Sequence, residues 1–155
     1  MNTVDPIRDI EEIKKMKSCL LNFSYRDYLV FLLGINTGLR ISDLLNLKVA
    51  DVKNKNQIII REKKTGKEKK FTLNDAVREE IDKFIESKSG DEFVFQSRRN
   101  KANPLDRVRT YLMLNKAAEE AGLKIRIGTH TLRKTFGYHL YQKTKDVALL
   151  QYLFN

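Results

Sequence analysis

At 155 residues the chain is long enough for one domain with a real core and short for two, and its composition, 41% hydrophobic and 32% charged, is that of a globular protein. Cys19 is the only cysteine, which excludes an internal disulfide, and with two histidines it leaves too few ligands for a zinc site built from Cys and His. No apolar run approaches the roughly 18 residues a membrane span needs, the N-terminal stretch with Asp5, Asp9, Glu11 and Glu12 is unlike a signal peptide, and the formal charge is +10, so we expect a soluble cytoplasmic protein with no membrane contact.

In chain order, Asp5-Pro6 reads as an N-cap followed by proline at the first helical position, with Ile7, Ile10, Ile13 and Met16 at helical spacing. Cys19, beside Leu20 and Leu21, reads as a buried structural thiol. Ser24 caps a second helix through Tyr28, Leu29, Leu32 and Leu33 to Asn36, and Gly38 supplies the left-handed residue that ends it. A short helix follows from Ser42 to Leu47. Val49–Val52, Gln57–Arg61 and Lys69–Leu73 then read as three β-strands separated by polar turns. Asn74 caps a helix carrying Val77, Ile81, Phe84 and Ile85, and Phe93-Val94-Phe95 is a short buried stretch. Pro104 opens a helix with Val108, Tyr111, Leu112 and Leu114 that ends near Gly122. Thr129 caps another to about Gln142, and Asp146 caps a last one through Leu150 and Leu153. The expected class is α+β: mostly helical, with a small three-stranded antiparallel sheet in a single domain spanning 1–155.

The charge is unevenly distributed. Residues 53–70 hold eight Lys/Arg against two acids, residues 98–109 hold five against one, and residues 124–145 hold six against none. These stretches carry more than the whole net charge, so the remainder is acidic. Charge runs are often only solvated surface, but three in one small domain favour a polyanion-binding face and nucleic acid as the partner.

Three segments carry candidate chemistry. In Thr37-Gly38-Leu39-Arg40-Ile41-Ser42-Asp43-Leu44-Leu45-Asn46-Leu47, Arg40 and Asp43 are three apart and share a helical face. An arginine after a glycine turn can present a planar fork to phosphate, although by itself the segment reads better as a surface Arg–Asp pair. In Thr129-His130-Thr131-Leu132-Arg133, His130 and Arg133 fall in the first turn of a helix, where free N–H groups favour phosphate. A histidine there can exchange a proton with a reacting oxygen, while a structural histidine is the plainer alternative. His139, without a basic partner at that spacing, keeps the structural reading. The turn Lys63-Lys64-Thr65-Gly66-Lys67 reads alone as a solvated basic hairpin, or as a lysine reaching into a backbone groove.

Taken together, these segments resemble the tyrosine recombinase, or phage integrase, family. Its members carry a Thr-Gly-Leu-Arg-x-Ser-Glu/Asp-Leu segment, then a β-hairpin lysine, then His-x-x-Arg. Arg40, Asp43, Lys64, His130 and Arg133 match that pattern in order and approximate separation, and Lys67 is a possible substitute for Lys64. The resemblance implies site-specific DNA recombination through a 3′-phosphotyrosyl intermediate, with no metal or nucleotide cofactor. Arg40 and Arg133 would clamp the phosphate, Lys64 would protonate the leaving oxygen, His130 would assist proton transfer, and Asp43 would orient its neighbours. Lys63, Lys67, Arg98, Arg99 and Lys134 are expected to contact double-stranded DNA.

The intact enzyme is expected to act as a homotetramer on DNA, and this stretch alone to be a monomer. The family's nucleophilic tyrosine is expected some nine residues after a His or Trp that itself falls just past Asn155. Its separate N-terminal DNA-binding domain has no counterpart in the chain. We therefore expect residues 1–155 to be a partial catalytic domain that binds DNA without cleaving it. A plain helix-turn-helix regulator, with Leu39–Leu47 as its reading helix, is the alternative.

Overall fold

The computed structural model describes residues 5–61, 65–128 and 130–154. Eight helices and one two-stranded sheet are found among them, in the order α1 (Ile10–Phe23), α2 (Tyr25–Thr37), α3 (Ile41–Leu45), α4 (Val49–Val52), β1 (Gln57–Arg61), β2 (Glu68–Thr72), α5 (Asp75–Ile85), α6 (Arg107–Glu120), α7 (Thr131–Thr144) and α8 (Val147–Phe154). The α+β class holds, and none of the described helices is long and apolar enough to cross a membrane.

Helix α2 is the centre of the molecule. Its residues from Tyr28 to Leu33 are all buried, so it is apolar on every side, as expected of a helix wrapped by neighbours. Helices α1, α5 and α7 pack around it. Ser24 accepts a hydrogen bond from the Asp27 N–H (3.1 Å) at its start, and Gly38, at φ 73°, closes its end with an N–H donated to the Gly34 carbonyl. Tyr25 and Tyr28 both donate to Glu80 of α5, at 3.0 and 3.2 Å. Burial, and then the Glu80 charge, push the Tyr28 phenol up to about 12.

The sheet has two strands instead of the three expected. Val49–Val52 is a helical turn, with Val49 and Val52 both buried while Ala50 and Asp51 face outward. That three-residue period belongs to a helix, and Asp51 fixes it by accepting the Lys48 N–H at 2.8 Å. The ribbon itself is antiparallel, with Ile58 opposite Phe71 and Ile60 opposite Lys69. Ile58 and Phe71 join the core, which a two-stranded ribbon needs for stability.

Two helix starts also differ from expectation. Helix α1 begins after Asp9, whose carboxylate accepts the Glu11 N–H at 2.8 Å, rather than at Asp5. The preceding Ile7 is buried and tied to α7: its N–H donates to Thr135 Oγ1 (3.0 Å), and its carbonyl accepts from His139 Nε2 (2.9 Å). His139 is therefore structural. Helix α6 begins after Asp106, which accepts the Arg109 N–H, while Pro104 pairs with Gln96 in an isolated bridge. The Thr129 cap lies outside the described residues. Asp146 caps α8 through the Leu149 N–H (3.0 Å). Cys19 is half-buried against the core rather than fully enclosed.

Candidate phosphate-binding site

The packing of α2 on α7 brings two distant motifs together. A methyl group on Gly34 would come within 2.7 Å of Leu132 Cδ1, and one on Gly38 would collide with the Phe136 ring. Both glycines thus permit a close approach that no side chain would allow. Arg40, two residues after Gly38, occupies the N-cap position of α3, and His130 occupies that of α7.

His130 is exposed at this junction, and the charges around it bear on its imidazole. Partial burial of the ring lowers its pKa from the ordinary 6.5, and the positive charges of Arg133, Lys134 and Arg40 lower it further. Three cations from two segments therefore act on one imidazole. The N-terminus of α7 adds the positive end of its dipole. Such a site favours an anion and keeps its histidine neutral until one arrives.

Arg40 is exposed and its guanidinium makes no hydrogen bond or ion pair among the described residues; in particular, no salt bridge joins it to the half-buried Asp43. The sequence left a surface Arg–Asp pair open, and that pair does not form. Arg133 is half-buried and held from below: Nη2 donates to the Leu153 carbonyl at 3.3 Å, and Cζ lies 4.6 Å above the Phe154 ring. Lys134 is exposed beside it.

Lys63 and Lys64 lie outside the described residues. Lys67 is exposed at the end of the hairpin turn, where its N–H donates to Thr65 Oγ1 and Gly66 adopts φ 69°. Arg98 and Arg99 belong to a different place. Together with Arg26 and Arg109 they line a cavity of 210 Å³ over Leu105 and Met113.

Arg26 is a residue the sequence did not single out. Its guanidinium pairs with buried Asp27 (2.9 Å) and donates to the Gln96 carbonyl (2.9 Å). Gln96 in turn contacts Lys88 and donates to the Lys101 carbonyl at 3.2 Å. Arg98, Arg99 and Arg109 share the basic run 98–109, which is the one signal in the sequence that pointed to this cavity.

A "Probable integrase/recombinase YoeC" from Bacillus subtilis is 46% identical over the whole chain, which spans 84% of that protein. "Tyrosine recombinase XerA" from Pyrococcus horikoshii is 31% identical over 146 residues, but the chain spans only 50% of its length. Among solved structures, the XerH site-specific recombinase, described as bound to its difH substrate in a pre-cleavage complex, superposes with a TM-score of 0.78. That match covers 98% of this chain and 47% of the other at 23% identity, a likeness of fold. The model of the phage integrase family matches residues 9–155, and the chain belongs to that family.

Proposed function

We propose that the chain supplies the phosphate-binding and proton-transfer groups of a tyrosine-type site-specific recombinase acting on double-stranded DNA. The observation that carries this reading is the packing of α2 on α7, which sets Gly38, at the turn into Arg40, against Phe136 of the helix that carries Arg133 and is capped by His130. Family membership supplies the reaction class.

In that reaction a tyrosine oxygen attacks a DNA phosphorus and the bond to the 5′ oxygen breaks, leaving a 3′-phosphotyrosyl link that the reverse attack of a 5′ hydroxyl resolves. Bond energy is conserved, so no nucleotide or metal cofactor is required. Arg40 and Arg133 hold the non-bridging oxygens and stabilise the extra charge of the pentacoordinate transition state. His130, neutral beside three cations, accepts the tyrosine proton or donates to a phosphate oxygen. Lys64 protonates the departing 5′ oxygen, with Lys67 of the same turn as its substitute. Asp43, unpaired with Arg40, acts on the orientation of the α3 turn. Lys63, Lys67, Lys134, Arg98 and Arg99 hold neighbouring phosphates of the duplex. Exchange between two duplexes cuts four strands, which calls for four copies of the intact enzyme.

A helix-turn-helix reading fits less well. Helix α3 has five residues, and with Ile41, Leu44 and Leu45 buried only Ser42 is fully exposed, too little for a reading helix. The deciding test uses a nicked duplex that traps cleavage in the intact recombinase. A covalent protein–DNA adduct is expected, and Arg40→Ala or Arg133→Ala should suppress its rate by roughly 10²–10³-fold each. Adduct formation unaffected by either change would refute the clamp.

A further inference from the structure

We propose that Phe154 is a positioning residue for Arg133: the end of α8 sets the direction in which this guanidinium points. The inference rests on the reading of Arg133 as a phosphate ligand and names a residue that holds it. Arg133 lies on the first turn of α7, whereas Leu153 and Phe154 lie on the last turn of α8. Between the two helices the chain turns at Lys145, whose left-handed φ of 56° folds α8 back along α7.

The Phe154 ring is committed to that contact. It meets Phe136 edge-on at 6.2 Å, and a methyl on Gly137 would approach it to 2.7 Å, so glycine at 137 lets the ring come close against α7. Arg133 then stacks over the ring at 4.6 Å while Nη2 donates to the Leu153 carbonyl. A face contact and an in-plane hydrogen bond together fix both the tilt and the rotation of a planar cation. Stacking engages the π face rather than the N–H groups, so it orients the fork without consuming a donor.

The same ring links the two clamp arginines. Phe136, against which Phe154 packs, is the residue that fills the space above Gly38, and Gly38 sets the turn into Arg40. Phe154 thus sits at the end of a chain of contacts, Phe154–Phe136–Gly38, that joins the support of Arg133 to the turn carrying Arg40. A hydrophobic residue needed only to cover α7 would have no reason to present its face to the guanidinium.

The experiment uses residues 1–155 and a fluorescent DNA duplex at low salt, with two readouts: the dissociation constant, and the ¹⁵N–¹H resonance of Arg133 Nε. Phe154→Leu, which keeps apolar bulk but removes the π face, should weaken binding roughly three- to tenfold and shift the Arg133 resonance. Phe154→Ala should do at least as much, and Phe154→Tyr should restore both. In an Arg133→Ala background, Phe154→Leu should cost nothing further. An unmoved Arg133 resonance in Phe154→Leu, or an equal loss of binding in the Arg133→Ala background, overturns the proposal and leaves Phe154 as packing. If Arg133→Ala binds DNA as tightly as the parent, the phosphate reading fails instead; the resonance of Phe154→Leu then still decides whether Phe154 seats Arg133.

Discussion

Gly38 and Phe136 occupy the same space in two different senses: the backbone of one turns where the ring of the other ends. At φ 73°, with the ring filling the position a Cβ would take, Gly38 is constrained both by backbone and by packing. Gly38→Ala should therefore destabilise the fold by roughly 2–4 kcal/mol, combining the left-handed backbone cost with overpacking. Denaturant unfolding measures it, and the variant should also lose DNA affinity because Arg40 follows this turn. A loss below about 0.5 kcal/mol would mean that Phe136 swings away freely.

The depressed pKa of His130 gives a pH signature with a defined sign. The folded state binds this proton less readily than the unfolded state, so the contribution to stability is complete above the ordinary value of 6.5. It is lost as pH falls through 6.5 toward the lower folded pKa. His130→Gln should flatten that acid-side decline relative to the parent in unfolding measurements. A bound phosphodiester supplies negative charge and should raise the His130 midpoint, read from its ring ¹H and ¹³C shifts. A midpoint that stays put on saturation with DNA would place the anion elsewhere.

Much of this site was legible because its residues are tied to local signals. Ser24 and Gly38 mark the ends of α2, and the sequence set His130 and Arg133 together at the start of α7, where the structure has His130 as the N-cap and Arg133 in the first turn. What was misread depends on partners far along the chain. Asp5-Pro6 has the form of a helix start, but the Ile7 backbone is claimed by Thr135 and His139, so the helix waits for Asp9. Val49-Ala50-Asp51-Val52 is too short for its valines to reveal a period, and β-branched residues favour the strand reading. Tertiary bonds from the Val49 and Ala50 N–H groups to the Glu92 and Gly90 carbonyls accompany the turn that forms instead. The role of Arg26 was invisible, since nothing in α2 foretells the loop that Gln96 begins.

Arg26 and Asp27 form a largely buried ion pair, with side chains 16% and 8% exposed. Removing one partner leaves the other charged in a low-dielectric setting. Asp27→Ala should cost about 3–5 kcal/mol in thermal or denaturant unfolding. Replacing the pair with Met and Leu should cost far less, because no orphaned charge remains. The double variant should nevertheless weaken DNA binding, since Arg26 lines the cavity with Arg98, Arg99 and Arg109. Equal destabilisation by the single and double changes would show that the bond to the Gln96 carbonyl, rather than charge pairing, carries the effect.

Duplex binding by residues 1–155 should be weak, tolerant of sequence and steeply dependent on salt. The three basic stretches offer more cations than one phosphate can use, and each neutralised phosphate releases condensed counterions. Engagement of about four to six phosphates gives a slope of log affinity against log salt of roughly −4 to −5. Arg40→Ala and Arg133→Ala should each reduce the steepness by about 0.9, and so should Arg98→Ala or Arg99→Ala if the cavity holds a phosphate of the same duplex. The proposed function gives the two groups different chemistry. Arginines of the clamp act on the phosphate that reacts, so in the intact recombinase their loss should reduce the cleavage rate of already bound DNA. Those of the cavity act on phosphates that only position the duplex, so their loss should raise the DNA concentration needed and leave the rate at saturation unchanged. Single-turnover cleavage at saturating DNA separates the two. An Arg98→Ala or Arg99→Ala variant that cleaves slowly even when saturated would move the cavity into the reacting site, and a salt slope near zero would remove the phosphate-reading surface altogether.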